Sequence, residues 1–273
     1  MKDNKLGIMP ISKLIWNMSL PIIVSMLVQA LYNIVDSVFV SQVSEQALTA
    51  VTLAFPAQNL MIGLATGTAV GVNALLGRAL GAGDGKRADQ VAINGIFLAV
   101  VGFVLSAVLA LCFGGTFFRT QTDIDYIVDN GITYLRICCC ASLGMFCQIM
   151  FERLLQGTGR SILSMYTQGL GAIVNIVLDP ILIFGLGPAP ALGVAGAAFA
   201  TVSGQVLAAL IVVSGFRKPP PIRVFRSYAA KIYRLGFPSI FMQLLFTVYI
   251  MALNMILAGF SDDAVTVLGL YYK

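Results

Sequence analysis

Apolar residues along this chain run on for longer than a strand or an amphipathic surface helix allows. Seven stretches reach the roughly 20 residues that let a helix cross a bilayer: 14–40, 53–75, 91–118, 131–155, 163–184, 194–216 and 235–260. An eighth opens at Val265. Polar side chains interrupt few of them. Gln29, Asn33 and Asp36 fall in the first, Glu152 near the end of the fourth, and Gln168, Asn175 and Asp179 in the fifth. The pattern predicts an all-α polytopic membrane protein. The first run is too long for a secretory signal, contains a carboxylate and lacks a small-residue cleavage site, so a retained first helix is expected.

That first run returns. At an offset of 217 residues Pro21 falls on Pro238, Leu27 on Leu244, Tyr32 on Tyr249, Ser44 on Ser261, Ala47 on Ala264 and Thr49 on Thr266. Leu and Ile coincide easily between any two membrane helices. Pro, Tyr and a Ser-x-x-Ala-x-Thr block do not, so the chain reads as starting a second copy of itself. One position differs sharply: Asp36 meets Leu253. Six spans separate the copies, an even number, so both enter from the same side as parallel repeats. A completed second copy implies about twelve helices in a protein of more than roughly 400 residues. Residues 1–13 are then a lead and 14–216 a six-helix lobe. Residues 217–234 form a linker between lobes, and 235–273 hold helix seven and the start of helix eight in a second lobe.

Composition narrows the function. With 58% hydrophobic and 11% charged residues, the chain lies far from the about 25% charged residues of soluble domains. Of its 17 Lys and Arg, all but Arg119, Arg136 and Lys273 fall on the side shared by the N-terminus and every second loop. The positive-inside rule places that side, with the N-terminus and the 217–234 linker, in the cytoplasm. The net charge of +5 is therefore a topology signal. Spread over loops beside spans, it makes a poor nucleic-acid surface.

There is no His, and the five Cys lie in apolar runs without C-x-x-C spacing, which reads as small core filling rather than metal or disulfide chemistry. Two loop motifs mislead. The segment GRALGAGDGKRAD at 77–89 is no Walker loop, because Leu80 stands where its first Gly belongs and Arg87 follows Lys86. Gly81-Ala82-Gly83-Asp84 mimics an intramembrane aspartyl protease but sits in a loop, where no scissile helix would meet it. An enzyme is not expected. By contrast, Gly63, Gly67 and Gly71 in the second run form a face on which another helix backbone can approach closely.

Chemistry is expected at the intramembrane acids. A charge at bilayer depth costs on the order of 2.5 to 3.5 kcal/mol, so an acid there marks a functional site by default. Asp36 lies roughly 33 Å of helical rise from Leu14, and Asp179 about 24 Å above the inner start of its own helix. Their outward depths match. Asn175 precedes Asp179 by one turn on the same face, and Gln29 and Asn33 share a helix with Asp36. Such a set suits a proton or Na⁺, since paired carboxylates bind a cation when ionised, and repulsion and lost hydration favour a shared proton. A structural polar network tying helix one to helix five is the alternative. For Glu152, a role in the transport pathway and an interfacial carboxylate offset by Arg153 or Arg160 both stay open.

The block NIVLDPILIFGLGPAPALGVAGAAFAT at 175–201, with LLQGTGRS before it and LGRALGAGD earlier, resembles the multidrug and toxic compound extrusion (MATE) family of secondary transporters. The bacterial branch is the most similar, and the resemblance covers the chain from about Lys13 onward. It implies a twelve-helix antiporter of two six-helix lobes in a V. Of this the chain would hold the six-helix N-lobe, helix seven and the start of helix eight. The resemblance further implies export of organic cations in exchange for H⁺ or Na⁺ by alternating access, a multi-pass monomer in the bacterial plasma membrane, and no cofactor. Asp36 matches the family's helix-one acid, Asp179 the acid of its LDP motif and Asn175 the amide one turn earlier. Glu152 matches an acid of the FERLLQGTG form of helix four, and Gln29 and Asn33 are carried over as pathway residues. A lipid-linked saccharide flippase of related fold is the rival reading. It calls for cations facing the cleft, where this lobe offers carboxylates.

Overall fold

The computed structural model describes residues 9–122, 124–185, 190–213 and 225–261, together with 264, 267, 268 and 271. Helices account for nearly all of them: α1 (Ile11–Ser41), α2 (Glu45–Gly81), α3 (Gly85–Arg119), α4 (Asp125–Cys140), α5 (Leu143–Gly157), α6 (Ser161–Phe184), α7 (Val194–Val213) and α8 (Phe225–Ala258). Among the described residues there is no strand. Five helices, α1, α2, α3, α6 and α8, are long and apolar enough to cross a membrane, and α4 with α5 makes a sixth if counted as one span. α7, 20 residues long, is a further predominantly apolar helix.

Two features depart from the sequence expectation. The run 131–155 is not one helix, for α4 and α5 meet at a 48° bend. At the bend the Ser142 hydroxyl and amide both turn back to the Cys139 carbonyl, at 2.7 and 3.3 Å, in place of the regular helical bond. Ser side chains compete for backbone in this way. Two residues on, a Cβ at Gly144 would press on Val206 of α7, so the start of α5 is drawn onto that neighbour. Second, α8 begins at Phe225, within the stretch read as linker, where Arg226, Lys231 and Arg234 lower the hydropathy around the fully buried Ile232. The eighth run, read as opening at Val265, falls mostly outside the described residues, as do 214–216 at the end of the sixth run and 217–224 of the linker.

α2 is the hub and packs on α3, α4, α5 and α8. Many of its buried positions are small, with Ala47, Ala50, Ala54, Ala65 and Ala69 all enclosed, so several helices can gather round one axis. The glycine face of α2 takes α8 in antiparallel contact. A Cβ at Gly236 of α8 would strike the Gly67 carbonyl, and one at Gly71 would strike the Ile232 carbonyl. Further along this seam Gln243 Nε2 donates to Asn59 Oδ1 at 2.6 Å, Asn59 Nδ2 to Thr247 Oγ1 at 3.1 Å, and Thr247 Oγ1 to the Gln243 carbonyl at 2.9 Å.

The repeat read from the sequence recurs in the bonds that end α1 and α8. After α1, the amides of Gln42 and Val43 reach the Phe39 and Val40 carbonyls at 3.2 and 3.1 Å. After α8, Gly259 and Phe260 reach Ile256 and Leu257 at 3.2 and 2.9 Å. The following Ser caps the next turn in each copy: Ser44 Oγ accepts from the Ala47 amide at 3.0 Å, and Ser261 Oγ from Ala264 at 3.1 Å.

Candidate functional site

α1 is apolar outside and polar inside. Its buried residues are Pro21, Ser25, Asp36, Ser37 and Val40, while Ile23, Leu27, Leu31 and Ile34 stay exposed. In hydrocarbon that orientation is favourable. The side chains that find no partner in lipid turn toward α6, against which α1 packs. α6 answers with a stripe of the same kind, since its buried face runs through Ser164, Thr167, Gly171, Asn175 and Asp179 at helical spacing.

The two acids meet between these faces. Asp36 is 6% exposed and Asp179 fully enclosed, and they lie near enough to interact electrostatically. Neither oxygen of Asp179 accepts a hydrogen bond, and Asn175 Oδ1 is likewise unmatched. The amide end of Asn175 donates to Thr201 Oγ1 of α7 at 3.4 Å. Pro180, directly after the acid, removes the amide hydrogen that would have bonded the Ile176 carbonyl. A packing device brings α7 this near. A Cβ on Gly204 would lie 2.6 Å from the Gly171 carbonyl oxygen, so glycine is required for α6 and α7 to touch.

Three further side chains lie around the pair. Tyr32, one turn before Asp36, lies within electrostatic reach of Asp36, Asp179 and Glu152. Tyr134 and Cys138 of α4 reach Asp36 from the other side, and Tyr134 holds Gln58 of α2 through a 3.5 Å bond from Gln58 Nε2 to its hydroxyl. A cavity of about 30 Å³ opens beside the acids, lined by Tyr32, Gln148, Asn175, Thr201 and Gln205 with Gly171 and Gly204.

Of the residues read from sequence, Asp36, Asp179 and Asn175 therefore come together. Glu152 is buried on α5, its Oε1 accepting from Gln148 Nε2 at 2.9 Å, while Arg153 donates to Gln156 Oε1 at 2.9 Å. Among the described residues Glu152 forms no ion pair. Gln29 sits two turns below Asp36 and accepts from Gln168 Nε2 at 3.2 Å, which ties α1 to α6. Asn33 contributes its carbonyl oxygen, which accepts from Ser37 Oγ at 2.9 Å. Tyr32 and Gln148, each four residues before an acid, carried a signal in their i, i+4 spacing. Thr201 and Gln205 carried none, because a lone polar residue in an apolar run says nothing about which helix it will face.

No group of three His, Cys, Asp or Glu able to hold a metal occurs among the described residues. The five cysteines are free thiols. A larger cavity of about 380 Å³ between α2, α3, α4 and α8, bordered by Leu60, Leu64, Phe113, Phe117 and Ile240, contains no acid. What the α1–α6 pair can do is hold one positive charge, as a proton or a metal cation, in place of solvent.

The MatE family model matches residues 21–181. The chain is 28% identical to the FAD transporter of Shewanella oneidensis, over 76% of this chain and 45% of that protein. It is 27% identical to the multidrug export protein MepA of Staphylococcus saprophyticus, over 93% and 58%. It thus spans about half the length of the curated relatives it matches. Among solved structures it resembles the outward-facing conformation of a multidrug resistance MATE family transporter, with a TM-score of 0.81 and 29% identity over 94% of this chain and 62% of that one. It is also similar to a Pyrococcus furiosus transporter of the MOP superfamily, described as having a binding pocket of reverse polarity that suggests a different function. There the TM-score is 0.78 at 28% identity, over 94% and 62%.

Proposed function

Because this chain belongs to the MatE family of membrane transporters, we propose that it supplies the ion-coupled lobe of an antiporter that exports organic cations in exchange for H⁺ or Na⁺. The observation that carries this reading is the enclosed pair Asp36 and Asp179, with both oxygens of Asp179 unmatched. An acid such as Asp179, kept at that depth without a donor and beside a second buried acid, is costly unless a cation comes and goes. In the proposed cycle the coupling ion neutralises the pair and loosens the lobe's hold on a cationic substrate. Release of the ion restores the negative charge for the next one. Rocking of two lobes opens the site to alternate sides. Asn175 and Thr201 tie α6 to α7 one turn from the carboxyl, Gln29 holds α1 to α6, and Glu152 and Asn33 line the pathway.

The lobe comprises 14–216, and α8 is the first helix of its partner. The basic end of the bundle, with Arg78, Lys86, Arg87, Arg160 and the N-terminus, faces the cytoplasm of a bacterial cell. The protein acts as a monomer, without enzymatic activity or cofactor. The relatives differ in cargo, one exporting drugs and one transporting FAD, whose pyrophosphate is anionic. The buried carboxylates Asp36 and Asp179 between α1 and α6 favour the drug-like, cationic class. They also disfavour a flippase for lipid pyrophosphates.

The test is uptake of a fluorescent lipophilic cation into proteoliposomes under an imposed pH or Na⁺ gradient. Asp36→Asn and Asp179→Asn each abolish gradient-driven uptake. Uptake at the normal rate by both variants would refute the antiport reading.

A further inference from the structure

The open faces of α1, α3 and α6 are apolar at mid-span. They show Leu27, Leu31 and Ile34 on the first, Val104 and Val108 on the second, and Ile173 and Val177 on the third. α4 differs. It buries Ile127, Gly131, Tyr134 and Cys138 and packs on α2, α3 and α7. Past its first turn the residues it leaves exposed are Asp129, Thr133, Arg136 and Cys140, which fall on one stripe of a helix.

Arg136 lies deep. Tyr134, on the buried side of α4, reaches Asp36 electrostatically. Arg136, two residues on, therefore stands close to the depth of the acid pair but on the opposite side of α4. It is roughly 17 Å of helical rise from Asp125 at the start of the helix, farther than an arginine side chain reaches. No acid lies three or four residues away, where the helix holds Ile132, Thr133, Cys139 and Cys140. A guanidinium facing lipid at that depth is strongly disfavoured, so this face turns to water or to something bound. Asp129, on the same stripe, is roughly 10 Å of rise nearer the start of the helix. One negative and one positive side chain at that spacing complement a molecule that carries both signs of charge. Between them Thr133 Oγ1 donates to the Asp129 carbonyl at 2.8 Å, which leaves its lone pairs to accept from a bound group.

Resting on the transport reading above, we propose that this stripe of α4 is a cargo-recognition face and that the exported molecule is zwitterionic, with Asp129 meeting its cationic group and Arg136 holding an oxyanion, a carboxylate or phosphate. The guanidinium fork matches two oxygens of such a group. The acid pair lies behind α4, so loading the coupling ion leaves the Arg136 contact in place. Recognition of the anion and coupling to the ion are then separable.

The experiment uses the full-length protein in nanodiscs and two dyes, a rhodamine with a free carboxylate and the methyl ester of the same rhodamine, which is a plain cation. The wild type should bind the carboxylate form about tenfold tighter than the ester, as a hydrogen bond to a charged group allows. Arg136→Gln should remove that preference and leave ester binding unchanged, and Arg136→Lys should keep part of it. Equal affinity of the wild type for both dyes, or equal loss of both in Arg136→Gln, would overturn the proposal. An unchanged preference in Arg136→Gln beside a lowered melting temperature would also overturn it, because Arg136 would then hold another part of the protein.

Cysteine labelling tests the face itself. Cys140 and Cys112 are both exposed, the first on the stripe and the second between Leu111 and Phe113 of α3. The reactive form of a thiol is the thiolate, which needs water. A charged methanethiosulfonate should label Cys140 and not Cys112, and the carboxylate dye should slow that labelling. Cys140 labelled only by a lipophilic maleimide, or by neither reagent, would overturn the proposal. Gradient-driven uptake of the ester judges the antiport reading separately: normal uptake by Asp179→Asn would fell that reading, while the dye preference stands or fails on binding alone.

Discussion

Two helix pairs in this molecule bury polar groups at membrane depth, and they are wired in opposite ways. Along the α2–α8 seam the side chains of Asn59, Gln243 and Thr247, with the Gln243 backbone carbonyl as the last acceptor, form a run of hydrogen bonds, and glycines bring the backbones together beside it. Between α1 and α6 two carboxylates face each other, and Asp179 has no donor for either oxygen. A satisfied network inside hydrocarbon holds helices in place, because its members have nothing better to bond. Asp179, buried without a donor beside a second acid, gives up stability, and on the reading proposed above a cation that is not part of the chain compensates it. The two members of the sequence repeat, α1 and α8, take one role each. Asp36 in the first copy is Leu253 in the second.

The comparison breaks most visibly at Asp179. Asp179→Asn should reduce gradient-driven cation uptake by about a hundredfold, equivalent to about 2.7 kcal/mol in the barrier. Thermal unfolding in detergent should hold steady or move to higher temperature, since a buried charge without donors has been removed. A clear drop in melting temperature would instead make the acid structural. Gly236→Val acts on the other region and in the other currency. Its side chain would meet the Gly67 carbonyl, so the seam must spread, at about 3 kcal/mol. Denaturant titration should show that loss, while uptake per folded molecule keeps its pH or Na⁺ dependence.

Smaller effects sharpen the same contrast. Asn59→Leu removes both side-chain partners from the seam network and should destabilise by about 1 to 2 kcal/mol, again without uncoupling. Thr201→Val cuts only the 3.4 Å bond to Asn175 and should slow coupled uptake about threefold, in keeping with a weak neutral hydrogen bond. If Asn59→Leu uncoupled transport and Thr201→Val did nothing but destabilise, the division between a holding seam and a working pair would be reversed.

Much of this division was legible before any coordinates. The depth match of Asp36 and Asp179 follows from counting residues along helices, and the Asn175–Asp179 face from the helical period. The repeat follows from Pro21, Tyr32 and Ser44, and it reappears bond for bond at the ends of α1 and α8. What stayed hidden is of two kinds. Partner choice between helices is not written in either helix alone, so Thr201 and Gln205 on α7 and Tyr134 on α4 could not be assigned to the acids. Local competition for backbone was also invisible to hydropathy. Ser142 bends the fourth span, and α8 continues through Ile232 beneath a run of Arg and Lys that reads as linker. The glycine face of α2 announced a close contact but not that its occupant would be the helix that opens the second copy.

The central claim is that the α1–α6 acid pair carries either the coupling ion or the drug's charge, never both. Its most direct test is ion release on drug binding, read with a pH-sensitive dye and a Na⁺ indicator on the purified protein in detergent. Adding a lipophilic cation should release H⁺ or Na⁺ from the wild type and none from the Asp36→Asn, Asp179→Asn double variant. Release of the same size from both proteins, or drug binding to the wild type with no ion released, would contradict it.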